Sequence, residues 1–235
     1  MDISLSHFQA GRLTEAIAEL GAELRQQPTD LRLRTFLFEL LCFAGEFNRA
    51  EKQLDVLAEQ NAEAQLGAVL YKNLLRAHRQ REDAFAAGVE TADEEQSTIS
   101  VRINGKHYGS CEDEDLRIGP SFEVYSSGAY TRIPYREIEQ VEIAAPATLR
   151  DLLFIPATIA VKEGSRFAES RAHVHLPALA PSSWKHKDDA VRLGRLSVLE
   201  ANGNGVSVPY GAKLLICEDE EIPLLDVREF AFVAA

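Results

Sequence analysis

The chain has 235 residues and a formal net charge of −12 at pH 7, and 46% of its residues are hydrophobic. This composition is typical of a globular protein, and no apolar run approaches the ~20 residues that cross a bilayer. The acidic balance disfavours binding to a phosphate backbone. The first residues lack a basic and apolar signal segment. We therefore expect a soluble, cytoplasmic protein that binds neither nucleic acid nor membrane.

A motif occurs twice in the first third of the chain. The segment AGRLTEA at 10–16 returns 34 residues later as AGEFNRA at 44–50. A 34-residue period with a turn glycine, an apolar residue and a small alanine is the pattern of tetratricopeptide repeats. Each such unit is a helix pair that buries its apolar face only by stacking on the next unit. The motif therefore predicts a concave surface that binds a partner.

Apolar residues recur at three- and four-residue intervals up to about residue 80, which predicts helices. Pro28 ends one of them, and Thr29 or Asp30 is expected to cap the next. Asn48, followed by Glu51 three residues later, resembles a capping box. The predicted helices lie at 12–26, 31–43, about 47–60 and about 64–80.

After residue 97 the apolar period changes to 2, which indicates strands. Asn104-Gly105 predicts a hairpin, because both central residues of a type I′ turn need positive φ. A second hairpin is expected at 121–133. Further strands are predicted at 138–143, 154–161, 171–176, 206–209, 213–217 and 223–232, with short helical turns at 147–152 and 188–195. The predicted fold class is α+β: a tetratricopeptide-like helical domain at 1–96, followed by a mainly antiparallel β domain at 97–235.

The chain contains three cysteines that lie far apart in sequence: Cys42, Cys111 and Cys217. Their number is odd, and the expected compartment is reducing. We therefore expect three free thiols and no intramolecular disulfide.

Four segments of the β domain resemble motifs of the ImpE/SciE family, also called TagJ. They are GAYTRIPYREI at 128–138, LRDLLFIPA at 149–157, VHLPA at 174–178 and PLLDVREF at 223–230, and they follow the family's order. Two segments depart from the family's pattern, at 179–184 and 195–213. The helical repeat at the start also agrees with this family.

The resemblance implies an accessory protein of the bacterial type VI secretion system, for which no enzymatic activity is established. It implies that the partner is a helix of the small contractile-sheath subunit, TssB, near the recycling ATPase ClpV. The resemblance supplies no functional residues and no cofactor. We expect a non-enzymatic adaptor that influences sheath assembly or ATPase-driven recycling.

The candidate partner-binding surface is the groove of the repeat, since the first helix of each repeat lines the concave side. The alternative is that its apolar residues pack against the β domain. Counting from Gly45 places seven residues along the groove: Arg32, Thr35, Glu39 and Phe43 in the second unit, and Leu66, Val69 and Asn73 in the next.

A rival hypothesis is a metal- or small-molecule-dependent enzyme with its site in the β domain. His173 and His175 lie on one face of a predicted strand, as metal ligands sometimes do. His186 or Cys217 is then the candidate third ligand. The alternative interpretation is the solvated face of an edge strand.

Two acidic runs, at 112–115 and 218–221, lack the residue spacing of a calcium loop. We interpret both runs as solvated turns. No glycine-rich phosphate loop or nucleophile motif accompanies them.

Overall fold

The computed structural model describes residues 2–88, 100–165, 167, 170–201, 205 and 207–233. The first part of the chain is helical, as predicted. The pattern does not predict the first helix, and the fifth helix extends further than its apolar period indicates. The expected domain boundary near residue 96 lies outside the described residues. The helices are α1 (Asp2–Gln9), α2 (Leu13–Gln26), α3 (Leu31–Phe43), α4 (Phe47–Ala58) and α5 (Ala62–Ala87).

The predicted cap of α3 is confirmed, whereas the predicted capping box of α4 is wrong. The Asp30 carboxylate accepts hydrogen bonds from the backbone N–H groups of Arg32 and Leu33, at 2.8 and 3.1 Å. At α4 the N-cap has no side-chain hydrogen bond. Asn48 and Glu51 instead bind the Arg79 guanidinium of α5, so they join two helices and do not cap one.

The second part of the described chain is mainly strands, as predicted. The turn residues Asn104 and Gly105 both have positive φ, at 49° and 83°. The pattern misses three short strands, at 112–113, 197–201 and 220–223, and the predicted strand at 223–232 is interrupted by a 3₁₀ turn at Leu224–Asp226. The strands are β1 (Val101–Ile103), β2 (Lys106–Tyr108), β3 (Glu112–Asp113), β4 (Ser121–Ser126), β5 (Ala129–Pro134), β6 (Ile138–Ile143), β7 (Phe154–Val161), β8 (Arg171–Pro177), β9 (Ser197–Ala201), β10 (Ser207–Gly211), β11 (Leu214–Cys217), β12 (Glu220–Pro223) and β13 (Glu229–Phe232); a short helix α6 spans Asp189–Arg192.

Within the described residues, an antiparallel sheet has the strand order β2-β1-β13-β6-β7-β8-β4-β5. A smaller sheet contains β12, β11 and β3, and β9 pairs with β10. Because β8 lies between β7 and β4, the interpretation of the histidine strand as an edge strand is wrong. One core lies on the large sheet, and a second core is formed by the helices together with Tyr125, Phe154 and Leu193 of the β domain.

The expectation of three free thiols is wrong. Cys111 and Cys217 form a disulfide, with their Cα atoms 4.0 Å apart. They are 106 residues apart in sequence, but β3 pairs with β11 so that Glu112 lies opposite Ile216. The next position of this antiparallel register brings the two cysteines face to face, which their sequence spacing conceals. Cys42 is free and buried.

The acidic run at 112–115 is not a solvated turn. Asp113 and Asp115 are each 2% exposed. Lys213 Nζ lies 2.8 Å from Asp113, and Arg117 lies 2.6 Å from Asp115, so both carboxylates have buried or half-buried cationic partners. The run at 218–221 is exposed, as predicted, but only Glu218 and Asp219 form the turn, whereas Glu220 and Glu221 belong to β12.

Candidate partner-binding site

The β domain fills part of the groove that the helices form. A 3₁₀ turn at Leu149–Leu152 precedes β7, and Leu149, Leu152 and Leu153 pack against the core of the helical domain. Phe43 is 1% exposed and lies beside a small cavity that Leu153 and Phe154 also line. Phe43 is therefore a core residue. At this position the alternative interpretation, in which an apolar residue of the groove packs against the β domain, is correct.

Glu39 is also covered by the β domain. It is 8% exposed, and its Oε1 lies 3.2 Å from Arg150 Nε. Desolvation raises the pKa of Glu39 to about 7, although the charge of Arg150 opposes this shift. The Arg150 guanidinium also lies over the Tyr71 ring, 5.1 Å from its centroid. Glu39 is thus not the exposed groove-edge charge that the sequence suggests, because a second domain supplies its partner.

The rest of the groove is open. Thr35 lies between two depressions of about 420 and 390 Å³. The first is walled by Leu5 of α1 together with Leu31 and Phe36 of α3, and Arg32 stands at its rim with an 83% exposed side chain. The second lies between α3, α4 and α5. This open surface has an apolar floor and a charged rim.

The apolar pattern does not predict that α1 contributes to this surface, although the repeat motif indicates it. Gly11 follows α1 as Gly45 follows α3, 34 residues later. Moving back one repeat from α3 therefore places a helix just before Gly11. Leu5 lies on this helix and is 37% exposed.

The predicted residues of α5 lie on a mostly exposed stripe. Leu66 is 73% exposed and Val69 is 54% exposed. Asn73 lies where the β4–β5 hairpin reaches the helix: a β carbon on Gly128 would be 3.1 Å from Asn73 Oδ1. The structure thus leaves Arg32, Thr35, Leu66 and Val69 accessible, places Asn73 at the border, and buries Glu39 and Phe43.

A buried charge cluster joins the two domains behind the groove. Arg81 of α5 donates two hydrogen bonds of 2.7 Å to the Glu123 carboxylate of β4, and both side chains are fully buried. Lys213 also contacts Glu123. Although burial opposes both charges, their mutual attraction holds the pKa of Arg81 well above and the pKa of Glu123 well below the ordinary values. This pairing fixes α5 against the large sheet.

Three of the four side chains proposed as metal ligands have other partners. His173 Nδ1 lies 3.1 Å from Thr158 Oγ1, and His186 Nε2 lies 3.2 Å from Glu200. Cys217 is in the disulfide. In the described part of the chain, no three His, Cys, Asp or Glu side chains are grouped so that they could hold a metal ion. Among the same residues, no helix has the length and apolarity that crossing a bilayer requires.

The fold and site define a tetratricopeptide-type helical repeat with a β domain packed into its groove. A tetratricopeptide repeat model matches residues 7–76, and the model of the ImpE protein family matches residues 105–231. The chain belongs to the ImpE family.

Two similar proteins extend this comparison. The type VI secretion system accessory component TagJ of Pseudomonas aeruginosa is 28% identical, over 96% of this chain and 89% of the relative. The crystal structure of protein VPA1032 from Vibrio parahaemolyticus has the same fold, with a TM-score of 0.84 and 22% identity over 99% of this chain and 98% of that chain.

Proposed function

We propose that this protein is an accessory component of a type VI secretion system. In this role it acts in the cytoplasm as a non-enzymatic adaptor that binds a helix of the small contractile-sheath subunit. The similarity to TagJ along 96% of the chain supports the accessory role. The tetratricopeptide architecture supports a protein partner, because stacked helix pairs present a concave surface of the kind that holds helices and peptides.

The open part of the groove is the proposed docking surface. An amphipathic helix binds such a groove through apolar side chains spaced at i, i+3 or i+4, and i+7. The depression beside Leu31 receives one such side chain, and Leu66 with Val69 on α5 contacts another. Arg32 lies at the polar rim. Glu39, Phe43 and Asn73 act indirectly, by shaping the walls.

A pair of leucines provides a direct test with a matched control. Leu66 on α5 and Leu199 on β9 are 73% and 58% exposed, so glutamate at either position causes little loss of stability. Leu66 tests the exposed apolar stripe of α5, and we expect Leu66→Glu to weaken binding of the purified small sheath subunit by at least ~10-fold, since a charge there opposes apolar contact. Leu199→Glu should bind like the wild type. Equal affinities of the wild type, Leu66→Glu and Leu199→Glu for the sheath subunit would exclude this surface as the docking site.

The accessory role is tested in the bacterium itself. Deleting the gene should change the number or lifetime of assembled sheaths, observed by fluorescence microscopy of a labelled sheath subunit. The wild-type gene should restore them, and the Leu66→Glu gene should not. Unchanged sheath assembly and recycling in the deletion strain contradicts the proposal.

A further inference from the structure

The turn at Leu149–Leu153 lies in the groove in the manner of a ligand. Its apolar side chains Leu149, Leu152 and Leu153 pack on the helical core, and Arg150 reaches Glu39 and the ring of Tyr71. The turn therefore presents several apolar side chains and one charged side chain to the groove. An amphipathic helix that binds a groove presents the same combination. The chain thus supplies its own occupant for part of the surface.

This turn is organised without help from the groove. The Asp151 carboxylate accepts hydrogen bonds of 2.8 Å from the backbone N–H groups of Ala147 and Thr148. Thr148 and Asp151 together form a capping box. Because these bonds lie within the turn, it can leave the groove and return as a preformed unit.

The contacts that hold the turn are less buried than the charge pair that joins α5 to the large sheet. The Arg81–Glu123 pair is fully buried and has two short hydrogen bonds. Arg150 is instead 30% exposed, and its buried Nε forms no hydrogen bond of good geometry. All residues of 149–153 are only half-buried, and the preceding connection at 147–148 is exposed. In native proteins, local unfolding occurs first in such weakly held segments.

We propose that the turn at 149–153 is a displaceable internal occupant of the groove, which a bound sheath helix replaces. This inference rests on the proposed function for the identity of the displacing partner. The opening of the turn, however, is a property of this chain alone. Loosening the turn exposes more of the groove, and the apparent affinity for a partner rises in proportion to the fraction of molecules whose groove is free.

Cys42 provides a natural probe of opening. Cys42 is 3% exposed and lines a cavity of about 20 Å³ that Leu153 and Phe154 also line. No thiol reagent fits this cavity while the turn is in place. Burial also raises the pKa of the thiol, so the closed state is unreactive. Labelling of Cys42 in the folded, unreduced protein therefore measures how often the turn opens.

The experiment compares Arg150→Ala and Glu39→Gln with the wild type and with Arg171→Ala. Arg171 pairs with Glu142 at 3.0 Å on the exposed sheet surface, so it is a matched control for loss of an arginine pair. We expect iodoacetamide to label Cys42 about tenfold faster in Arg150→Ala, and the sheath subunit to bind severalfold tighter, because both depend on the open fraction. Arg171→Ala should match the wild type in both measurements. Glu39→Gln should raise both the labelling rate of Cys42 and the affinity for the sheath subunit, as Arg150→Ala does. Melting temperatures identify any variant in which Cys42 is exposed by global unfolding.

Two results overturn the inference. One is labelling of Cys42 at the wild-type rate in both Arg150→Ala and Glu39→Gln. The other is weaker or unchanged sheath-subunit binding by Arg150→Ala, which makes Arg150 a partner contact or a bystander. If no protein, wild type included, binds the sheath subunit, the proposed function fails, while the labelling rates still decide whether the turn opens.

Discussion

The indole of Trp184 lies directly against the backbone of Gly45. A β carbon at position 45 would be 2.2 Å from Trp184 Cε3, and Gly45 has a φ of 73°. The glycine that ends α3 in the repeat motif therefore also makes room for the only tryptophan of the chain. Trp184 Nε1 in turn donates a hydrogen bond of 3.0 Å to Glu82 of α5. Through these two contacts Trp184 of the β domain joins the turn after α3 to α5.

Gly45→Ala should destabilise the protein by at least ~2 kcal/mol, because the new methyl group meets both a left-handed backbone and a ring that cannot move freely. Urea unfolding measures the loss. The emission of Trp184 should shift to longer wavelength in the folded variant, as the ring is forced from its site.

Gly67→Ala is the control for this substitution. Gly67 lies within α5, and a β carbon there would meet nothing within 4 Å. We expect this variant to be more stable than the wild type by up to ~1 kcal/mol, because alanine favours a helix over glycine. A destabilising effect as large as that of Gly45→Ala contradicts the explanation by Trp184.

Arg81→Met should cost about 3 kcal/mol or more of unfolding free energy, since Glu123 then keeps a buried charge with fewer partners. Arg171→Met removes an exposed pair, whose side chains are 57% and 51% exposed. That variant should lose less than ~1 kcal/mol. Chemical denaturation of both variants checks the comparison, and similar losses refute the assigned role of the buried pair.

The stability of the wild type relative to Glu39→Gln should fall as the pH rises from about 4.5 to about 7. Burial raises the pKa of Glu39 from 4.5 to about 7. Between these values the folded protein keeps a proton that the unfolded chain has lost, so this contribution is full below pH 4.5 and disappears as the pH passes 7. Glutamine does not titrate. The contributions of all other titrating groups cancel when the unfolding free energies of the two proteins are subtracted.

The size of this pH effect has an upper limit of about 3 kcal/mol, from the free energy that corresponds to the shift in pKa. Urea unfolding of both proteins at pH 5 and pH 8 measures it. A difference in stability that is independent of pH shows that the Glu39 carboxyl titrates normally.

Denatured, unreduced protein should contain one titratable thiol per chain, that of Cys42, since Cys111 and Cys217 are joined. Reduction should lower the free energy of unfolding by roughly 2–4 kcal/mol, as the disulfide closes a long loop in the unfolded chain. A double Cys111→Ser and Cys217→Ser variant should be unaffected by reductant. Three titratable thiols in the wild type would falsify the pairing.

The sequence determines the local structure of this protein well. The 34-residue motif predicts the helix pairs, because a turn glycine and stacked apolar faces recur at the period of one repeat. The Asn104-Gly105 hairpin follows from the positive φ that both turn residues adopt. Asp30 caps α3 because its carboxylate reaches N–H groups two and three residues later. Each of these features depends on neighbours in sequence.

The candidate site is less predictable, because one domain decides what the other exposes. Helical spacing predicts that Phe43 and Glu39 lie on the groove side of α3. It contains no information on Leu153 or Arg150, which come from more than 100 residues later and cover them. Leu66 and Val69 have no such cover and stay exposed.

The segments that depart from the family's pattern are likewise understood only from the tertiary structure. Trp184, in the segment 179–184, covers Gly45, and Arg195, in the segment 195–213, donates hydrogen bonds to the carbonyls of Phe8 and Gln9 at the end of α1. Both segments therefore contact the turns of the repeat. The sequence by itself determined the elements and their repeat, because those depend on local backbone preference and apolar period. Only the tertiary structure decided the disulfide, the buried charges and the open part of the groove, because each arises where segments distant in sequence share one desolvated space.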